Sequence, residues 1–315
     1  MRKASRSSGG TRSRCRTRKP SRSSGRSGRW AMGYSDEAED LVLGDDVTIG
    51  EDARIAGGKI VLGDGVVIGR RVDIEVSDRL VVGKGSLIRD GTILHGRKIE
   101  LGREFYANHD AEFGGGSCFE ATSSLKIGYW FHIGSYAMVN TAMPVTIGNE
   151  VGLGRFTNLY THGAYLSMAE GFPVTFGPIS LGDRVWLPSA TVNPGVTIGD
   201  DVVVGVGSLV MHDIPSNSLA VGVPAKVVKE HYPVRPPVEE VIGRIRPQFD
   251  AWGVRGEYDA KRGVVRIGKT DFHIPDRRID GSSSKETERV RNLLRRLGIR
   301  FRYEVVGGAY APWSD

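Results

Sequence analysis

The stretch TVNPGVTIGDDVVVGVGSLV, residues 191–210, decides the fold. Its aliphatics Val192, Ile198, Val204 and Val210 stand six residues apart. That period fits neither the 3.6 of an α-helix nor the alternation of a half-buried strand. It fits a short strand and a sharp bend, repeated. The aliphatic points inward, and the small or turn-forming residue after it lets the corner close.

The same period runs back through the chain. It links Leu43, Ile49 and Ile55; Leu62, Ile68 and Ile74; Ile127, Ile133 and Val139; and Ile147, Leu153 and Leu159. A longer repeat lies over it. An aliphatic–Gly pair begins at Leu43, Leu62, Val82, Leu101, Ile127, Ile147, Leu181 and Ile198. The first four are 19, 20 and 19 residues apart, and Leu181 precedes Ile198 by 17. Three six-residue sides make one triangular coil of about 18 residues, and such coils stack in parallel register about 4.8 Å apart. The 43 glycines suit a chain of tight turns and argue against a helical bundle.

The net charge of +6 invites a nucleic-acid reading, but its distribution argues against one. Residues 1–30 carry eleven Arg or Lys and no acid, which leaves residues 31–315 at −5. The basic character therefore reads as a property of the tail, and the folded part is not expected to bind nucleic acid. The Arg/Ser-rich tail, residues 1–31, holds too little apolar surface to fold and is expected to be disordered. It reads as a basic arm for RNA or anionic surfaces, as a targeting segment, or as an upstream stretch ahead of a true start at Met32. No window reaches the roughly 18 apolar residues of a membrane helix. The two cysteines, Cys15 and Cys118, form no disulfide framework or zinc pattern, which fits a cytoplasmic protein with no metal site.

The repeats over residues 41–230 resemble the hexapeptide-repeat acyltransferase superfamily. The resemblance is strongest over residues 145–229. There the run NPGVTIGDDVVVGVGS (193–208), followed by GVPAKVV (222–228), looks like the galactoside, maltose and xenobiotic O-acetyltransferase branch. It implies an all-β fold, a left-handed parallel β-helix; the handedness comes from the resemblance and not from the spacing. It also implies acyl-CoA, with acetyl-CoA the default, as co-substrate, and a homotrimer whose sites are shared between subunits.

Two places break the repeat. One is the extra chain between Gly102 and Gly128, which includes Gly114–Gly115–Gly116. The other is an inserted loop, residues 160–178, opening with Tyr160–Thr161–His162–Gly163. Loops on rigid scaffolds carry function. The resemblance puts the catalytic base at His162, ahead of the Gly182–Asp183–Arg184–Val185–Trp186 turn. The chemistry needs such a group: an alcohol is a poor nucleophile until a neutral imidazole takes its proton. The acyl-CoA residues implied are Trp186, Ser189, Val206, Gly207, His212, Lys226 and Lys229, with both lysines near the phosphates. His212 stands where the family often has lysine. Leu187 to Val192 is five residues instead of six, and Pro188 replaces the usual Gly, so this corner departs from the family pattern. Tyr129, Trp130, Phe131, Tyr136 and Asn140 gather one coil before His162, with Tyr160 beside it. Of these Tyr136, Asn140 and Tyr160, together with His132, are expected to face a carbohydrate or small-molecule acceptor. His95, His109, His231 and His273 read as surface residues.

These features predict O-acylation of a hydroxyl. N-acylation of an amino sugar and a non-catalytic β-helix scaffold are the alternatives. A γ-class carbonic anhydrase shares the fold, but its His-x4-His zinc pair is absent here.

After Pro233, Pro236 and Pro237 the pattern changes, and residues 238–315 read as a small α+β domain. Val238, Val241, Ile242 and Ile245 predict a helix that Pro247 stops. Residues 263–268 read as a strand. Ser283 and Glu286 predict a capping box for a helix presenting Val290, Leu293, Leu294 and Leu297. Ile299, Phe301, Tyr303 and Val305 predict a final strand.

Overall fold

The structure, a computed structural model, describes residues 33–313. The expectations for the tail lie outside the described residues. The chain divides into two units at Pro233–Val234.

The first unit is a left-handed parallel β-helix. One face is a stack of short strands: Thr48–Ile49, Val67–Ile68, Leu87–Ile88, Tyr106–Ala107, His132–Ile133, Gly152–Leu153, Trp186–Leu187, Val202–Val204 and Ser218–Gly222. Each pairs in parallel with the strand one coil away. The other two faces join into a single 13-stranded sheet. They join because the early coils turn one corner without a break. Arg54–Leu62, Asp73–Val82 and Ile93–Leu101 each run across both faces.

The coil lengths follow from the corners. The ladder between Arg54–Leu62 and Asp73–Val82 shifts register between Gly57 and Lys59. Gly57 takes φ 122°, a conformation that glycine adopts at little cost. These extra corner residues account for spacings of 19 and 20. The structure also starts the first coil earlier than the sequence pattern shows, at strand Ser35–Leu43, which pairs with Arg54–Leu62. The one-residue deficit after Leu187 is a shortened corner, Pro188–Ser189, between Trp186–Leu187 and Ala190–Val192. It presses on the neighbouring coil so closely that a Cβ on Gly154 would lie 1.7 Å from the Pro188 carbonyl oxygen.

The inward columns are the core. Ile49, Ile55, Ile68, Ile74, Ile133, Leu153, Leu159, Val192, Ile198, Val204 and Val210 are all buried. Each such side chain contributes about 1.5–3 kcal/mol by leaving water. In the coil that carries extra residues, Phe105 and Phe113 fill the interior, and Phe131 of the next coil stacks on Phe105 at 5.4 Å. Phe131 is therefore inside the coil rather than on an acceptor-facing surface, and Trp130, at the turn before it, is buried edge-on to Tyr129.

The second unit has its own core. A four-stranded antiparallel sheet (Glu257–Asp259, Val264–Ile267, Thr270–His273, Arg278–Asp280) accompanies helices Val238–Ala251 and Lys285–Arg296 and a hairpin of Tyr303–Val306 and Ala309–Pro312. Three expectations need correction. The first helix continues through Pro247 to Ala251. Phe249 is fully buried beside Ile242 and Ile245, and that packing outweighs the lost backbone hydrogen bond. The capping box is one residue later than expected. Ser284 Oγ accepts from Thr287 N at 3.1 Å, and Thr287 Oγ1 accepts from Ser284 N at 2.8 Å. The last strand begins at Tyr303, so Ile299 and Phe301 reach the core from irregular chain.

The charge expectation also changes. Residues 234–315 hold 17 Lys and Arg against 12 Asp and Glu, a net +5. Residues 31–233 hold 15 against 25, a net −10. Basic character is thus shared by the tail and the second unit, and the β-helix is acidic. Among the described residues no helix is long and apolar enough to cross a membrane, and no three His, Cys, Asp or Glu side chains gather to hold a metal ion.

Candidate active site

His162 sits where the chain leaves the prism. Strand Asn158–Leu159 still belongs to the coil. Thr161 is the last buried residue, and His162–Gly163 pairs antiparallel with Thr175–Phe176 to close the base of the loop. Gly177 N donates to Thr161 O at 2.9 Å and returns the chain to the coil. The loop between carries Tyr165, Leu166, Met168 and Phe172 on its exposed surface.

Asn140 is the centre of a hydrogen-bond network beneath the imidazole. It ends strand Met138–Asn140, and its residue is buried. Its Nδ2 donates to Gly114 O at 3.0 Å and to Gly116 O at 3.4 Å. That fixes the amide orientation and turns Oδ1 toward His162 Nδ1, 2.9 Å away. Thr161 Oγ1 also donates to Oδ1, and Ala142 N donates at 3.3 Å. Because Oδ1 can only accept, Nδ1 carries the proton. Nε2 is left with its lone pair.

The Nε2–Cε1 edge lies beside Gly116 of the glycine triplet. A Cβ placed on Gly116 would lie 3.6 Å from Nε2 and 3.7 Å from Cε1. A side chain there would occupy the space where a substrate hydroxyl must approach. One face of the ring is covered by Phe176, stacked at 5.6 Å and 16°. Cys118, nearby in the chain, is buried, and desolvation pushes its thiol up, so it stays protonated.

The sequence singled out His162 and the glycine triplet, and the structure brings them together. It places Asn140 differently: not open to an acceptor, but buried under the histidine. Thr161 and Phe176 were missed. No local pattern marks either; they matter because the coil stacks position 161 next to 140 and because the loop folds back.

The acceptor expectations separate. Tyr136 is exposed and stacks on Phe156 at 5.8 Å, with Arg155 5.1 Å from its ring centroid. His132 is exposed and stacks on Tyr106 at 5.0 Å. Both line an open groove of about 700 Å³ with Arg71, Asp90, His109 and Arg155. Tyr160 is exposed two residues before His162 and does not line that groove.

In sequence the chain is 36% identical over 115 residues to galactoside O-acetyltransferase of Escherichia coli (strain K12), covering 36% of this chain and 57% of that protein. Over that stretch it is similar to the hexapeptide-repeat acetyltransferases. The chain spans little more than half the length of that relative. Solved superfamily structures include a hexapeptide-repeat acetyltransferase from Vibrio cholerae, with 28% identity over 42% of this chain and 74% of that one, TM-score 0.37. Another is a galactoside acetyltransferase in complex with coenzyme A, with 28% identity, 50% and 64% coverage and TM-score 0.30. No family model matches the chain.

The superfamily resemblance singled out a further set of positions, and within one chain they do not meet His162. Ser189 lies in the corner before strand Ala190–Val192, and Val206–Gly207 in the corner before Ser208–Val210. His162 lies past the other end of the same face, since Leu159 pairs with Val192. At about 3.3 Å per residue that puts roughly 13 Å between the two edges. Trp186 and Val206 are strongly exposed. Gly207 N donates to Ser189 O at 2.7 Å, so these two corners are stacked. Lys226 and Lys229 are exposed on strand Ala225–Glu230, opposite Val221 and Leu219, with Lys229 Nζ 5.9 Å from the Tyr232 ring centroid. His212 is exposed in the turn after Ser208–Val210.

Proposed function

We propose that the protein transfers an acetyl group from acetyl-CoA to a hydroxyl of a carbohydrate or small-molecule acceptor, with His162 as general base. One observation carries this reading: Asn140 Oδ1 accepts from His162 Nδ1, which leaves Nε2, beside Gly116, as the ring nitrogen free to take a proton. Nε2 takes the proton of the acceptor hydroxyl as its oxygen attacks the thioester carbonyl. The tetrahedral intermediate collapses, the carbon–sulfur bond breaks, and the imidazolium returns its proton to the departing thiolate. As positive charge develops on the ring, the Nδ1–H···Oδ1 bond to Asn140 strengthens.

The acyl-CoA positions fit the same proposal if two copies share a site. Ser189, Val206 and Gly207 of one copy would face His162 of its neighbour, closing the roughly 13 Å separation found within one chain. The exposed Trp186 and Val206 would then be covered. Lys226 and Lys229 would meet the phosphates, and His132 and Tyr136 the acceptor. A homotrimer with shared sites is the arrangement this reading predicts, and a cytoplasmic location suits the free thiol of Cys118.

Subunit mixing tests it. His162→Ala and Gly207→Trp chains are each expected to be inactive. Refolded together, they are expected to regain part of the activity, because some interfaces then pair an intact histidine with an intact corner. A panel of galactosides, maltose-type sugars and amino sugars separates O- from N-transfer. Failure of every acceptor, together with no acetyl-CoA binding by calorimetry, would refute the proposal.

A further inference from the structure

We propose that the second unit carries a separate nucleotide-binding groove, unrelated to acyl transfer, formed by one face of helix Lys285–Arg296 and by Trp252. The groove has a volume of about 700 Å³. Lys285, Arg289, Asn292 and Arg296 line it. They stand at helix positions i, i+4, i+7 and i+11, which places them in one stripe. All four are exposed. Trp252, which follows helix Val238–Ala251, forms the other wall, half-buried against Phe249.

The charge in the groove is one-sided. Its one carboxylate, Glu288, is already engaged, accepting from Arg291 Nε at 3.0 Å and from Tyr310 Oη at 2.8 Å. No carboxylate in the groove is therefore left to neutralise Lys285, Arg289 and Arg296. This local excess matches the unit's net +5, against −10 for the β-helix residues. Arg289 donates to the Trp252 carbonyl, which ties the cationic stripe to the aromatic wall.

That chemistry selects a ligand with a phosphate and a flat ring. Guanidinium groups grip phosphate oxygens in a forked geometry, and an indole stacks on a base. Asn292 adds a donor and an acceptor for a base edge or a sugar hydroxyl. A sugar alone has no charge to answer the three cations, and a lipid headgroup has no ring for the indole. The shared chemistry is a nucleotide phosphate, either free or as part of a single strand.

Fluorescence anisotropy on the full chain tests this. The probe is a 12-nucleotide labelled oligo-dT, titrated with wild type, with Lys285→Glu/Arg296→Glu and with Trp252→Ala. The two charge reversals lie on exposed positions and leave the Arg289–Trp252 contact in place; unchanged melting confirms the fold. The double variant is expected to bind at least tenfold more weakly. Its affinity should also depend less steeply on salt, by about 1.4 in log–log slope for two lost single-strand phosphate contacts. Competition by millimolar ADP would assign the groove to free nucleotides, and its absence to a polymer. Equal affinity and salt slope for wild type and the double variant would overturn the proposal and leave binding to the tail alone. So would salt-dependent self-association with no oligonucleotide binding.

Discussion

Replacing Asn140 with Ala separates a positioning role from a packing role. The substitution removes the acceptor of three donors: Thr161 Oγ1, Ala142 N and His162 Nδ1. It also removes the donor to Gly114 O, although that carbonyl keeps Thr141 N at 3.0 Å. Two donors, those of Thr161 and Ala142, are left beneath the surface. At about 1–3 kcal/mol for each unsatisfied buried group, partly offset by local relaxation, the variant should lose about 2–4 kcal/mol of stability. The catalytic loss is a different quantity. A hydrogen bond to a charged partner is worth about 1.5–3 kcal/mol against 0.5–1.5 for a neutral one, and the ring also becomes free to adopt the wrong tautomer. At 1.4 kcal/mol per factor of ten, kcat should fall about 10- to 100-fold with little change in the KM for acetyl-CoA. Asn140→Asp keeps the acceptor and adds a negative charge that favours imidazolium. It should therefore retain more activity than Ala and shift the acid limb of the kcat profile to higher pH. Steady-state thiol release across pH, with thermal melts of each variant, reads both effects. Full kcat in Asn140→Ala, or an unmoved acid limb in an active Asn140→Asp, would refute the tautomer argument.

Three other outcomes follow from the same geometry. Gly116→Val should fill the space in front of Nε2, raising the acceptor KM or abolishing transfer, while melting stays near wild type because the site opens to solvent. Gly154→Ala puts a methyl 1.7 Å from the Pro188 oxygen and should destabilise the β-helix by about 3 kcal/mol or more, seen in urea denaturation. In the second unit, the Arg266 guanidinium, with bonds of 2.7 and 2.8 Å, holds the Asp271 carboxyl below its usual range. A depressed folded value means that the stabilisation is present above the ordinary Asp value near 3.9 and is lost as pH falls through the lower one. Asp271→Asn should therefore cost stability at pH 6 and progressively less as pH falls below 4; a cost that does not change with pH would contradict the pairing.

The β-helix was legible because its repeat is a property of single residues. Ile198 needs only to be aliphatic and six from its neighbours, and the stacking of coils does the rest. The extra and missing corner residues were also visible, as spacings of 19, 20 and 17. His162 stood out because it opens an insertion in an otherwise regular repeat. What surrounds it was harder to see. Asn140 and His162 are 22 residues apart and touch only because one coil lies on the next. Asn140 sits among aromatics that suggest an acceptor surface, yet the register turns it beneath the histidine. Phe176 reaches the ring only through the fold of the loop. In the second unit the competing signals were of similar weight. Pro247 is a strong local stop, but burial of Phe249 two residues later carries the helix past it. The basic groove was hidden by totals, since +11 in the tail and −10 in the β-helix mask a +5 in the second unit.

The central claim concerns the imidazole of His162, and thiol release from acetyl-CoA tests it most directly. The assay compares wild type with His162→Ala against the sugar panel at equal concentration of folded protein. Acceptor-dependent release by wild type that falls about 100- to 10,000-fold in the variant, with acetyl-CoA affinity unchanged, is the predicted result. Release that survives the substitution would contradict it, and would move the base to another group such as His132.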